Sequence, residues 1–276
     1  MTSWRGAAGT AVEPPPAAWD GAWTEEGAAA AGALEPATAE EVVAWALERF
    51  AGRLALVTSL QAGGIVLLDL VRRLGGEPRV LTLDTGRLPA ETYDLVERVR
   101  GHFGVEVEMI SPRAADVERM VARGGPNLFY RSPEARSECC RVRKVEPLRR
   151  ALRPFAAWMG GLRRSQSEAR AATPKVAPDP LDDAARDGIA PRLKISPLAD
   201  WSEAQVWEHV RRRRLPYHPL YDRGYLSIGC APCTRPARPF EQPRDGRWWW
   251  EADGQRECGL HVLNGHGGPH GNGSGS

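Results

Sequence analysis

The chain has 276 residues, 42% hydrophobic and 26% charged, and its 37 Lys+Arg and 35 Asp+Glu leave a formal net charge of +2. That is enough apolar material for a core and excludes a wholly disordered chain, yet no run reaches the ~20 apolar residues of a membrane-spanning helix. So small a charge argues against a dedicated nucleic-acid binder, which carries a basic excess, and still allows a local basic pocket for a small anion.

Residues 1–36 are rich in Ala, Pro and Gly, with Pro14, Pro15 and Pro16 in succession, and read as a poorly ordered extension in which Trp4, Trp19 and Trp23 can dock on the body. They carry no basic-then-apolar signal, and Glu13, Asp20, Glu25 and Glu26 set them apart from acid-poor transit segments. Order begins at Thr38, where Thr38-Ala-Glu-Glu41 forms a capping box that opens a helix ending near Gly52. Leu54–Val57 reads as a buried strand, Ser59–Gly64 as a loop and Ile65–Leu74 as a helix. Arg79–Leu83 is a second strand, Ala90–His102 a helix, Val105–Met109 a third strand and Arg113–Ala122 a further helix. Ala156–Met159 and Lys194–Ile195 read as short strands, and Ser202-Glu-Ala-Gln205 is a second capping box, opening a helix to about Arg213. Alternating strands and helices predict an α/β fold, a parallel sheet with helices on both faces. A single domain is expected over 37–250, followed by a mobile segment over 251–264 and a flexible Gly/His/Asn/Ser tail over 265–276.

Ligands of such a sheet sit beyond the carboxyl ends of its strands. Ser59-Leu-Gln-Ala-Gly-Gly64 lies there, offering a hydroxyl, two glycines for close backbone approach and a helix N-terminus that favours anions. Leu83-Asp84-Thr85-Gly86-Arg87 follows the second strand, a short turn suited to a ribose and an acidic group. Gly160-Gly-Leu-Arg163-Arg-Ser-Gln-Ser167 follows a later strand and leads to Arg170; glycines beside arginines suit a sulfate or phosphate, which a guanidinium pairs bidentately.

Five cysteines, an odd and low number, do not suit a disulfide scaffold and point to a reducing, cytoplasmic setting. Cys230-Ala-Pro-Cys233 is a CxxC, and Cys139-Cys140 is an adjacent pair 90 residues before it. Adjacent side chains diverge in regular structure, so a sharp backbone turn is expected at Cys139-Cys140. Four thiolates fit either an all-cysteine zinc site or an iron–sulfur cluster. The adjacent pair departs from zinc knuckles, and Arg141, Arg143 and Lys144 beside it suit an anionic cluster. Cys258 stands apart in Glu257-Cys-Gly-Leu-His261, outside any apolar run; near a histidine and arginines, its thiol suits a nucleophile. Arg244 and Arg247 precede Trp248-Trp-Trp250, which reads as packing that anchors the Cys258 segment.

These residues together resemble the assimilatory adenylyl-sulfate (APS) reductases, relatives of the phosphoadenylyl-sulfate (PAPS) reductases. The likeness runs from about Leu54 to His261 through Leu83–Arg87 with Glu91-Thr-Tyr93, Glu138–Pro147, Gly161–Arg164, Pro197–Trp201, Ser227–Cys233 and Glu257–His261. It implies a Rossmann-like, adenine nucleotide α-hydrolase-like fold. It also implies a 4Fe-4S cluster on Cys139, Cys140, Cys230 and Cys233, with Cys258 as the nucleophile. Substrate contacts are then expected at Ser59, Leu83, Asp84, Thr85, Gly86, Arg87, Lys144, Arg163, Arg170, Arg244, Arg247 and His261. One departure is Gly63-Gly64, where the family's first loop usually carries an acidic pair. The implied reaction is reduction of APS to sulfite and AMP through an S-sulfocysteine, with thioredoxin or glutaredoxin as reductant and no nucleic-acid or membrane partner; the oligomeric state is left open. Rival readings are PAPS reduction, an ATP-using sulfurtransferase or ligase of the same fold, and a zinc-stabilised nucleotide-binding module.

Overall fold

The computed structural model describes residues 22–182 and 192–251. Its strands are β1 (Leu54–Val57), β2 (Arg79–Leu83), β3 (Val107–Ile110), β4 (Ala157–Met159), β5 (Val176–Pro178) and β6 (Leu193–Ile195), in the sheet order β3-β2-β1-β4-β6-β5. β1 pairs in parallel with β2 and β4, β2 with β3 and β4 with β6, whereas β5 runs antiparallel to β6 at the edge. The expected parallel sheet is therefore present, with an antiparallel edge strand that was not foreseen.

The pleat sorts the apolar residues. Leu54 and Leu56 of β1 face one core and Ala55 the other, the two-residue period of a strand buried on both sides. The larger core takes in α2 (Ala39–Arg49), α3 (Ala62–Arg73), α4 (Ala90–Phe103) and α8 (Glu203–Arg213) through Val42, Val43, Ile65, Leu95, Val206 and Val210. The opposite face is covered by α7 (Glu146–Leu152) through Leu148 and Leu152. A third cluster sits beside the sheet and holds Met120 of α5 (Ala114–Gly124), Phe129, Val142 and Trp248 together with Cys139, Cys230 and Cys233.

Both capping boxes form. The Thr38 hydroxyl accepts from the Glu41 N–H at 3.2 Å while the Glu41 carboxylate accepts from the Thr38 N–H at 2.7 Å. Ser202 and Gln205 reciprocate at 3.3 and 2.8 Å. Two expectations need correction. A helix, α1 (Ala22–Leu34), lies within the stretch expected to be a poorly ordered extension. Its alanines are strong helix formers, and Ala31 and Leu34 pack on the core. The second concerns the loop after β1. Gly63 and Gly64 belong to the first turn of α3, which begins at Ala62, three residues before the expected Ile65. Residues 1–21, including Trp4 and Trp19, and residues 252–276, with the expected mobile segment and tail, lie outside the described residues.

Candidate active site

Strand order reverses at β1, whose neighbours are β2 on one side and β4 on the other. An open α/β sheet forms its ligand crevice at such a switch point. A cleft opens there, between the loop after β1 (Ser59, Gln61), the first turn of α3 (Ala62–Gly64) and the loop after β4 (Gly160–Arg163). The two loops meet closely. A Cβ on Gly161 would stand 2.6 Å from the Gly63 carbonyl carbon, and one on Gly63 would stand 2.9 Å from the Gly161 carbonyl oxygen, while one on Gly64 would meet Thr58 Oγ1 at 2.1 Å within its own segment. Glycine is thus required on both sides of this contact, which gives Gly63-Gly64 a packing reason in this chain.

Cations line the cleft. Lys144, Arg163, Arg170, Arg244 and Arg247 all reach it. Arg163 is buried and ion-paired with Glu203, and its Nε has no partner. Arg170 is also buried; its Nη1 donates to Gln166 Oε1 at 2.5 Å, and the same oxygen accepts from the Arg163 N–H at 3.2 Å. One glutamine therefore sets two arginines. Arg247 donates to the Cys233 carbonyl and to Ser227 Oγ, and its guanidinium passes so close to Gly229 that a Cβ there would lie 2.2 Å from it.

All four paired cysteines line a second cavity, with Arg87, Arg136, Arg143 and Lys144 around them. Cys139 and Cys140 close α6 (Pro133–Cys140), which continues without a break into a π-helical turn (Arg141–Val145) and then α7. The expected sharp turn is absent; a widened turn follows the pair instead. Cys230 and Lys144 line both cavities and so mark the place where they join. Burial pushes the Cys139 thiol up. Burial, then the neighbouring Cys230, carries Cys233 up to about 12. Burial also raises Cys230, but Lys144, the Thr85 hydroxyl, Arg247 and Arg143 outweigh it and hold this thiol below its ordinary value.

Of the expected substrate residues, Ser59, Leu83, Thr85, Lys144, Arg163, Arg170, Arg244 and Arg247 line the cleft. Asp84, Gly86 and Arg87 do not. Asp84 accepts from the Gly86 N–H at 2.8 Å and from the Tyr93 hydroxyl at 2.9 Å, closing its own turn, in which Gly86 has φ +68°. Arg87 turns toward the thiols, donating to Asn127 Oδ1 at 2.9 Å and to the Pro126 carbonyl over the Phe129 ring. Cys258 and His261 lie outside the described residues. Sequence reasoning missed Gln61, whose Nε2 donates to Ser59 Oγ at 2.9 Å and whose Oε1 accepts from the Ile228 N–H at 3.0 Å, tying the β1 loop to the CxxC loop. It also missed Gln166 and Glu203; Gln166 lies between Arg163 and Arg170, three and four residues from them, whereas Glu203 is far in sequence from every expected contact and carried no signal.

A model of the phosphoadenosine phosphosulfate reductase domain matches residues 53–236. The chain belongs to this family. Among phosphoadenosine phosphosulfate reductase family relatives, the adenosine 5'-phosphosulfate reductase of Allochromatium vinosum is 48% identical over 208 residues, 75% of this chain and 78% of that one. The chloroplastic 5'-adenylylsulfate reductase 3 of Arabidopsis thaliana is 40% identical over 232 residues, 84% of this chain and 50% of that one. A solved phosphoadenylyl-sulfate reductase from Candida auris, a phosphate complex, superposes with TM-score 0.62 at 27% identity, covering 76% of this chain and 97% of that one. Candida glabrata FMN adenylyltransferase, with TM-score 0.50 at 14% identity over 82% of this chain and 74% of that one, shares the family's fold alone. Among the described residues of this family member, no helix is long and apolar enough to cross a membrane.

Proposed function

We propose that this chain is an APS reductase of sulfate assimilation, producing sulfite and AMP. The observation that carries this reading is the joining of a cation-lined nucleotide cleft to a four-thiol cavity through Lys144 and Cys230. The cleft suits an adenine nucleotide with a strongly anionic end: glycine-lined loops and the α3 N-terminus on one side, Lys144, Arg244 and Arg247 on the other. Relatives named for APS reduction are 39–48% identical over most of the chain.

The donor set of the second cavity fits a 4Fe-4S cluster. Four thiols face one space, whereas no three His, Cys, Asp or Glu among the described residues close round a single ion. A polynuclear cluster takes each thiolate on a different iron. Cys139, Cys140, Cys230 and Cys233 would hold it, and its charge would tune and position the neighbouring anion site. Arg87, Arg143 and Lys144 would offset the thiolate charge.

The reaction then needs one further thiol. The Cys258 thiolate attacks the substrate's sulfur, a sulfur–oxygen bond breaks, and AMP leaves with the bonding electrons. Lys144, Arg244 and Arg247 stabilise charge growing on the phosphate oxygens. His261, three residues after Cys258, belongs to the same expected contact set. A dithiol protein, thioredoxin or glutaredoxin, next attacks Cys258 Sγ and releases sulfite; its second thiol resolves the mixed disulfide, so the reductant ends oxidised. The few unpaired cysteines suit the reducing cytoplasm for such a reaction.

Anaerobic purification with iron and sulfide analysis, followed by sulfite release from APS and PAPS, tests the reading. Brown protein that prefers APS supports it. Zinc in place of iron, or consumption of ATP, overturns it. The second reading, PAPS reduction, draws on the likeness to the Candida auris enzyme and predicts preference for the nucleotide with one more phosphate. Without reductant, wild-type protein is expected to release about one AMP per site and to carry one sulfonate on Cys258, while the Cys258→Ser protein forms no adduct.

A further inference from the structure

A cleft of about 380 Å³ opens between α5 and the continuous run of α6, the π-helical turn and α7. It shares no lining residue with the nucleotide cleft or the thiol cavity. Its walls follow from sequence spacing. On α5, Asp116, Arg119, Met120 and Arg123 recur at three and four residues and occupy one helix face, with Arg113 just before the helix. On the opposite run, Glu138, Val142, Glu146 and Arg150 recur every four residues, and Arg141, Arg149 and Arg153 flank them. Met120 and Val142 are buried in the third apolar cluster and close the floor. Every other described side chain of the lining is charged.

Seven arginines thus meet three carboxylates, an excess of four positive charges in a chain whose formal net charge is only +2. The carboxylates do not bridge the walls. Asp116 pairs with Arg119 of its own helix. Glu138 holds Arg141 through two bonds of 2.7 and 2.9 Å, and Glu146 lies 3.5 Å from Arg141 and 3.4 Å from Arg149, again within their own run. Across the gap, Arg123 adds a longer-range attraction to Glu138, whose pKa is lowered chiefly by Arg141. Arg113, Arg123 and Arg153 are exposed and make no ion pair among the described residues. Arg150 donates to the Ser111 carbonyl at 2.7 Å, which ties α7 to the approach of α5. Like charges on two facing walls repel, and a concave surface of one sign raises the local concentration of counter-ions. Guanidinium groups answer phosphate with paired, charge-assisted bonds.

We propose that this cleft is a second anion site, which takes a small molecule bearing two phosphate groups on a non-aromatic carrier. Charge sets the number of phosphates. Each phosphate monoester carries about −1.5 to −2 near pH 7, so two match the excess of four. The lining sets the carrier, because no aromatic side chain among the described lining residues offers a nucleobase a stacking surface. An anion between the walls replaces their repulsion with bonds to both. The inference does not depend on which nucleotide the first cleft takes. An inorganic diphosphate and a sugar bisphosphate share this chemistry, and the test separates them.

Full-length protein with saturating AMP is titrated calorimetrically with inorganic pyrophosphate, with fructose 1,6-bisphosphate and with inorganic phosphate. Two variants are compared. Arg119→Gln/Arg123→Gln/Arg153→Gln alters neither the nucleotide cleft nor the thiol cavity and leaves an excess of one charge; Arg244→Ala alters the nucleotide cleft and leaves the arginine cleft intact. Wild type is expected to bind one equivalent of at least one two-phosphate probe, at least tenfold more tightly than phosphate. Binding of pyrophosphate alone marks an inorganic source, and binding of the sugar bisphosphate an organic one. The triple variant is expected to lose at least tenfold in that affinity while binding AMP within about twofold of wild type, and Arg244→Ala to retain it. The bound probe should raise the melting temperature of wild type and not that of the triple variant, as linkage requires. Affinity unchanged in the triple variant, or lost in Arg244→Ala, overturns the inference. So does the absence of saturable binding by either two-phosphate probe, equal affinity for phosphate, or a hexaglutamate peptide that binds the cleft in their place. If the triple variant fails to fold, Arg123→Gln alone decides: unchanged affinity there overturns the inference.

Discussion

The Thr85 hydroxyl lies 3.2 Å from Cys230 Sγ, and through it the turn after β2 is joined to the CxxC loop. The Ala231 N–H donates to the Arg87 carbonyl at 2.8 Å and Arg143 Nη1 to the Thr85 carbonyl at 2.7 Å, so three elements converge on this turn. Removing only the hydroxyl, with Thr85→Val, is expected to lower kcat/KM about two- to tenfold, the equivalent of ~0.5–1.5 kcal/mol for one hydrogen bond. Unchanged kinetics would show that the contact has no bearing on turnover.

Cys233→Ser is expected to yield protein without iron or sulfide and with background sulfite release, because the other thiolates cannot complete the set. Recovery of an intact brown cluster from this variant would remove Cys233 from the ligands.

Arg244→Ala is expected to cost about ten- to a hundredfold in kcat/KM for APS, since one charge-assisted contact is worth roughly 1.5–3 kcal/mol. The melting temperature should fall only modestly, for Arg244 lines the cleft wall half-buried and packs on the core through the Trp248 ring, 5.7 Å from its guanidinium. A large thermal shift with wild-type kinetics would contradict this assignment.

Gly161→Ala places a Cβ against backbone rather than against a side chain that can swing away. Overpacking of this kind costs typically 1–3 kcal/mol, or roughly 2–10 °C in melting temperature for a domain of this size. AMP affinity should fall with it, because the two cleft loops are forced apart. A stable variant that binds AMP normally would show that the loops can separate freely.

His218 supplies a pH test. Burial is the main reason its pKa is lowered; Glu91 opposes this and Arg98 adds to it. Its Nδ1 accepts from the Leu220 N–H, and Nε2 is 3.0 Å from the Thr92 hydroxyl, an arrangement for the neutral ring. Below about pH 6.5 the unfolded chain takes up a proton that the folded ring still refuses. The contribution is thus complete above that pH and is lost as pH falls through the lower folded value. Melting temperature should drop between pH 7.5 and 5, and less steeply in His218→Gln. Parallel profiles would exclude His218 as the source.

Much of this architecture was legible because it rests on local rules. Thr38–Glu41 and Ser202–Gln205 mark helix starts by short-range bonds, and Leu54–Val57 reads as a strand from its own apolar run. The cations of the cleft were legible as residue types at strand ends. What escaped depends on distant partners. β5 is three residues ending in Pro178, without a pattern of its own, and it exists because β6 pairs with it. The course of Arg87 toward the thiols is set by Asn127 and Phe129, forty residues on. The widened turn after Cys140 leaves no periodic trace over five residues. Gln61 is plain in sequence, and only the fold shows that it bridges two loops.

The sheet ends on one side in β5, whose outer edge would otherwise present unpaired amides and carbonyls. α1 packs against β5, and Glu35 just beyond α1 accepts from the Lys175 N–H at 3.2 Å, beside the start of the strand. Exposed strand edges template pairing between molecules. The alanine-rich stretch thus works as a guard rail against self-association. A protein trimmed to begin at residue 37 would keep every cleft and thiol residue and still be expected to aggregate with rising concentration, so solubility and chemistry are carried by different parts of this chain.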